Sequence, residues 1–298
     1  MATPKVETEK HGELNCWRIT SDHAELLIAQ QGAQVLSYQR LGEPPLLWLS
    51  DQALFRQGSA MRAGVPVCWP WFGNLQRNPQ AVQAMFHGEQ APAHGLARCR
   101  DWQLLGIEGD GETLRIEFGL PEAQADLPGW PHNVELKFVI ELGETLTLTL
   151  SSYNLGNDLV TISQALHSYF AVSDVRQARV EGVDGLGYIE TLADWEQRQQ
   201  QGDLGFIGET DRIYLQAPQR LSIVDPHWKR RITLQTRGSR SAVIWNPWAD
   251  RARELVDMAD DGWQRMLCIE TANVWDDVVT LKPGATHALS VTIGSEAL

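Results

Sequence analysis

The chain has 298 residues and carries 25 basic against 38 acidic side chains, a formal net charge of −13. Hydrophobic residues make up 43% and charged residues 21%, ordinary globular usage that excludes a disordered or fibrous chain. The acidic balance and the lack of a basic stripe weigh against nucleic acid and anionic membranes as partners.

No apolar stretch approaches the roughly 18 residues of a membrane span. Met1–Trp17 is polar and charged, with no apolar signal core, which predicts a cytoplasmic protein. Cys16, Cys68, Cys99 and Cys268 are scattered and form no Cys-x-x-Cys pair, so reduced thiols are expected. Length alone suggests two domains, but large β folds often use as many residues as one. No linker or repeat divides the sequence, so residues 1–298 read as a single domain, with 1–20 peripheral.

Period-two patterns dominate in chain order. Ala24–Ala29 and Ala33–Leu41 read as strands around Gly32. Leu114, Ile116, Phe118 and Leu120 alternate with mostly polar neighbours, as do Leu136, Phe138, Ile140 and Leu142. Leu146, Leu148 and Leu150 follow the turn Gly143-Glu144, and Leu289, Val291 and Ile293 follow Pro283-Gly284. Alternation buries one side-chain set on a sheet face, and the short turns suit antiparallel pairing. Helical signals are few. Glu190–Gln201 is the best candidate, with Leu192 and Trp195 three apart, and it reads equally as a solvated loop. A short helical turn is expected near Asp51–Gln57. The expectation is an all-β protein of two stacked antiparallel sheets.

Several segments break the strand pattern. Met61–Gly73, MRAGVPVCWPWFG, holds two prolines and two glycines, which exclude a regular central strand. Arg62 is its only charge and reads as a ligand residue or as a surface arginine packing a loop. Ala91–Arg98, APAHGLAR, bends at His94-Gly95. If it leaves the bend as a strand, His94, Leu96 and Arg98 share a face. A histidine and an arginine facing one cavity suit an anionic, hydroxylated ligand.

Further along, His167 in QALHSYF reads as a core histidine or as a proton carrier near neutrality. Asp211 in DRIYL could accept sugar hydroxyls, pair with Arg212 or cap a turn. Trp245-Asn246-Pro247-Trp248 is a rigid aromatic turn. Glu270 interrupts the apolar run MLCIETA. It is either a desolvated general base or an outward residue on a half-buried strand. No nucleophile elbow, P-loop, Gly-x-Gly-x-x-Gly, EF-hand or close zinc pair occurs.

Taken in this order, the segments closely resemble the bacterial glucose-6-phosphate 1-epimerases, or D-hexose-6-phosphate mutarotases, of the galactose-mutarotase-like superfamily. The likeness spans about Ala24 to Gly294. It implies a β-supersandwich of two large antiparallel sheets with few short helices. It implies interconversion of hexose 6-phosphate anomers, with glucose 6-phosphate first. His167 and Glu270 are the implied catalytic residues, and Arg62, His94, Arg98 and Asp211 the implied substrate-binding residues. Ring opening is expected with Glu270 as base and protonated His167 as acid, and the two arginines drawing in the phosphate. No cofactor, no metal, no membrane or nucleic-acid partner and a monomeric state are expected. Ala93 stands where many relatives have Gln, and Arg77–Gln90 looks longer than in some of them. An unphosphorylated aldose as substrate, or carbohydrate binding without turnover, are the competing readings.

Overall fold

The computed structural model describes residues 4–109, 113–120 and 126–298. Two large sheets dominate, as the alternation predicts. The larger has nine antiparallel strands, and its middle is formed by Arg230–Arg237, Thr286–Ala297, Leu146–Asn154 and Val134–Leu142. Leu146–Asn154 alternates buried and half-buried residues along its whole length. Its buried side chains meet Ile140, Phe138, Val291 and Ile293.

The other sheet has eight strands. Its central run is Thr210–Leu215, Ser241–Asn246, Met266–Asn273, Gln164–Leu166 and Val67–Cys68, and Tyr169–Ala171 also pairs with Met266–Asn273. Ile244, Leu267 and Ile269 point into a core shared with Phe138, Leu148 and Val291 of the first sheet. Each such fully buried side chain contributes roughly 1.5–3 kcal/mol. Val243 and Glu270 alternate with these residues and so face the other way. A four-stranded sheet, Lys5–His11 through Val35–Arg40, adds Leu26 and Ile28 to the same core. The exposed Lys5–His11 is its edge.

Helices are short, as expected: among the described residues the α-helices are Gln80–Gln83 and Trp248–Arg253. Three local expectations fail. Glu190–Gln201 is not a helix but a turn leading into the strand Glu196–Gln199. Asp194 and Trp195 are both left-handed there (φ 50° and 61°), which reverses the chain within two residues. Residues 51–57 form turns without a helix. The stretch after His94 does not leave as a strand but closes into the 3-10 turn Ala97–Cys99.

Candidate active site

The eight-stranded sheet turns its second face toward a cavity of about 860 Å³. Strand register builds the floor. Leu166 pairs with Thr271 and Tyr169 with Cys268, so His167 falls opposite Glu270 across 103 residues of sequence. Glu270 pairs in turn with Val243, and Val243 with Ile213. The neighbouring row holds Tyr169, Cys268, Trp245 and Asp211. Directly opposed residues point to one face of a sheet. His167, Glu270, Tyr169, Trp245 and Asp211 all line the cavity.

His167 is fixed on every side. Its ring stacks on Tyr169 at 4.8 Å, nearly parallel, and meets Trp245 edge-on at 6.4 Å. Its backbone N–H donates to the Pro66 carbonyl at 3.0 Å. Nε2 lies 3.5 Å from Glu270 Oε1, too long for a good hydrogen bond. His167 Nδ1 and Glu270 Oε2 have no hydrogen-bond partner in the protein. Buried polar atoms left over in this way are costly, and together they mark a place built for another molecule's polar atoms.

Burial decides where the proton sits. Desolvation, with smaller contributions from Arg98 and Arg62, pushes the His167 imidazole down to about 3. Desolvation, and then the Asp211 carboxylate, push Glu270 well above the usual carboxylate range. Burial therefore favours the uncharged form of both groups. The expected pair, a protonated His167 beside an ionised Glu270, is the form that this desolvation disfavours. The reason is that a fully desolvated pair avoids charge separation.

The binding candidates stand around this pair. His94 adopts a left-handed backbone (φ 62°), and its Nδ1 accepts from the Gly73 N–H at 3.3 Å. That leaves Nε2 to carry the proton, and burial, then Arg98, hold the ring neutral. Arg98 lines the cavity and donates through Nη2 to the Ala93 carbonyl at 2.7 Å. Asp211 is half-buried in the cavity wall, and its carboxyl rises to about 6, through desolvation first and then Glu209 and Glu190. It does not pair with Arg212, which turns to Glu190 at 3.0 Å.

Arg62 lines the cavity already paired with a carboxylate. Its Nε donates to Asp257 Oδ1 at 2.7 Å, and it also hydrogen-bonds the Tyr169 hydroxyl. Burial works against its charge, but Tyr169 and Asp257 more than offset this. Asp257 escaped the sequence reading, where it stands in an acidic group with Asp260 and Asp261 that has no ligand pattern. Trp245 lines the cavity wall. Asn246 anchors the aromatic turn by donating to the Trp263 and Met266 carbonyls at 2.9 and 2.8 Å.

His167, Cys268 and Glu270 hold their ligand atoms within 4.8 Å of one another, the one such group among the described residues. Burial keeps the Cys268 thiol protonated, and Arg62 and Arg98 set positive charge against His167. A divalent cation would meet both obstacles, so the arrangement suits proton transfer better than metal binding.

Two groups able to exchange protons thus meet at the floor of a cavity of mixed polar and apolar lining. The chain belongs to the aldose 1-epimerase family, which it matches over residues 15–294, and it is an isomerase. An Escherichia coli K12 protein provisionally named glucose-6-phosphate 1-epimerase is 34% identical over 287 residues, covering 96% of this chain and 92% of its own. A crystal structure from Salmonella typhimurium, provisionally called a mutarotase, superposes with a TM-score of 0.87. It is 28% identical and covers 98% of this chain and 94% of its own. A galactose mutarotase-like protein from Clostridium acetobutylicum shares the fold at a TM-score of 0.74 and 16% identity, over 99% of both chains. No helix among the described residues is long and apolar enough to cross a membrane.

Proposed function

We propose that this epimerase interconverts the α and β anomers of a hexose 6-phosphate, with glucose 6-phosphate as its first substrate. The observation that carries the reading is the buried His167–Glu270 pair, 3.5 Å apart beside a cavity wall bearing arginine. The name given to the Escherichia coli relative agrees with it.

The reaction needs one group to take the O1 proton and another to protonate the ring oxygen. The pair supplies both with a single proton. A phosphate dianion bound at the arginines cancels part of the repulsion that holds His167 neutral, so binding draws the proton from Glu270 to His167. Glu270 then takes the proton from O1 as the C1–O5 bond breaks and the C1 carbonyl forms. His167 delivers its proton to O5. After rotation about C1–C2, O5 adds to the other carbonyl face and the roles reverse. Each positioned group contributes about 10²–10⁴-fold. Asp211 and the Nε2–H of His94 contact the sugar hydroxyls. No cofactor or metal enters these steps, and the proposed setting is a cytoplasmic monomer.

Exchange NMR of the anomeric protons tests this. Glucose 6-phosphate should exchange faster with the protein present, and glucose far less. Equal acceleration of both would favour an unphosphorylated aldose. Binding without acceleration would favour a non-catalytic carbohydrate-binding protein.

A further inference from the structure

The phosphate contact has a second candidate that no sequence motif marks. Four arginines line the cavity: Arg62, Arg77, Arg98 and Arg251. Arg62 is held by Asp257, and Arg251 by Glu254. Arg77 and Arg98 have no carboxylate partner among the described residues. Both belong to one wall, because the loops that carry them are tied together. The His94 N–H donates to the Gly73 carbonyl at 2.8 Å, and the Trp71 indole N–H to the Pro92 carbonyl at 2.8 Å.

Arg77 ends the 3-10 turn Leu75–Arg77. The turn is pinned by Asn78, whose Nδ2 donates to the carbonyls of Phe72 and Asn74 at 2.8 and 3.0 Å. The backbone of Arg77 is thus fixed while its side chain reaches over the cavity rim. Its guanidinium lies 5.4 Å from the Trp195 ring centre, and Trp195 stacks on Trp275 at 5.5 Å. Stacking orients a guanidinium plane without using its N–H donors.

The two tryptophans sit there at a cost. Both have left-handed backbones, φ 61° for Trp195 and 56° for Trp275. For a bulky residue this conformation is strained by roughly 1–3 kcal/mol, and such strain gathers at ligand sites. His94, on the same cavity, is strained in the same sense. Trp195 and Trp275 pack on Ile213, Val243 and Val274, an apolar patch in the same sheet face as Glu270.

We propose that Arg77, held on the Trp195–Trp275 stack, binds the substrate's phosphate together with Arg98. The assignment rests on the hexose 6-phosphate reading. Two guanidiniums free of carboxylates match a dianion, whereas Arg62 beside Asp257 offers it little net attraction.

The test compares the wild type with Arg77→Met, which keeps apolar contact with Trp195, and with Arg77→Lys. Arg77→Met should raise KM for glucose 6-phosphate by about tenfold or more, with a much smaller change in kcat. Competitive inhibition by inorganic phosphate should weaken in parallel. Arg77→Lys should recover part of both losses, which a merely structural role would not predict. Wild-type KM and phosphate inhibition in folded Arg77→Met would overturn the assignment and leave the hexose 6-phosphate reading intact. A wild-type protein that neither turns over glucose 6-phosphate nor binds inorganic phosphate would overturn both.

Discussion

His167, in the break between the strands Gln164–Leu166 and Tyr169–Ala171, faces Glu270 of the adjacent strand with 3.5 Å between Nε2 and Oε1, and the outer polar atom of each has no protein partner. The substrate's O1 and O5 are the atoms this gap and these orphan atoms would serve. Glu270→Gln and His167→Asn should each lower kcat by about 10²–10⁴-fold while the thermal unfolding midpoint stays near wild type. The double variant should lose little more than either single one, because the two groups share one proton path. Additive losses, or a single variant with near-normal turnover, would break the pairing.

The proton placement gives a spectroscopic expectation. 1,5-Anhydroglucitol 6-phosphate lacks the anomeric hydroxyl and cannot react. On binding it, the ¹⁵N resonances of His167 should move from the neutral toward the imidazolium range, since the phosphate offsets the charge of Arg98 that helps lower its pKa. Unphosphorylated 1,5-anhydroglucitol should leave them neutral. Identical spectra with both ligands would remove the phosphate from the proton's path.

Asp211 links recognition to pH. Its carboxyl titrates at about 6, so acidification through that value gives it a proton and removes an acceptor for sugar hydroxyls. The acid limb of kcat/KM should therefore lie near pH 6 and vanish in Asp211→Asn. The same variant removes the like charge that helps raise Glu270. Glu270 should then give up its proton at lower pH, and the alkaline limb should move down. An unchanged pH profile in Asp211→Asn would refute both assignments.

Stability should also respond to His167. Its pKa is lowered on folding, so its contribution is present above pH 6.5 and is lost as pH falls toward about 3, where only the unfolded chain still binds the proton. The His167→Asn protein should show a flatter fall in unfolding free energy between those values than the wild type. Parallel urea-melt series across this range would measure it, and equal slopes would count against a buried neutral imidazole.

Asn246 is the structural counterpart. It satisfies two buried carbonyls through Nδ2 and the Trp248 N–H through Oδ1, at 2.9 Å. Asn246→Ala strands all three and should cost roughly 2–4 kcal/mol, read as a lowered midpoint in chemical denaturation. A loss under about 1 kcal/mol would mean that water or relaxation replaces these bonds.

Strand positions were legible because alternation is local. Leu146–Asn154 and Val134–Leu142 bury every second residue as their patterns required. Glu270 was not decided by alternation, because all eight residues of Met266–Asn273 are buried and both faces of that strand are covered. The pairing of His167 with Glu270 depends on strand order, which no short window contains. Asp257 was hidden because an aspartate in an acidic run looks like a solvated face until Arg62 is seen beside it. The helix suggested over Glu190–Gln201 rested on two apolar residues three apart. That signal was weaker than the tight turn at Asp194 and Trp195.

Glu270 belongs to the hydrogen-bonded ladder of a sheet and His167 to the two-residue break beside it, while His94, Arg98 and Arg77 belong to loops outside the sheet. Under the proposed mechanism the molecule thus separates what reacts from what is recognised. A changed loop can admit a different sugar or anion while the reacting atoms stay in place. A one-residue slip of strand Met266–Asn273 would instead turn Glu270 toward the core and end the chemistry with every loop intact.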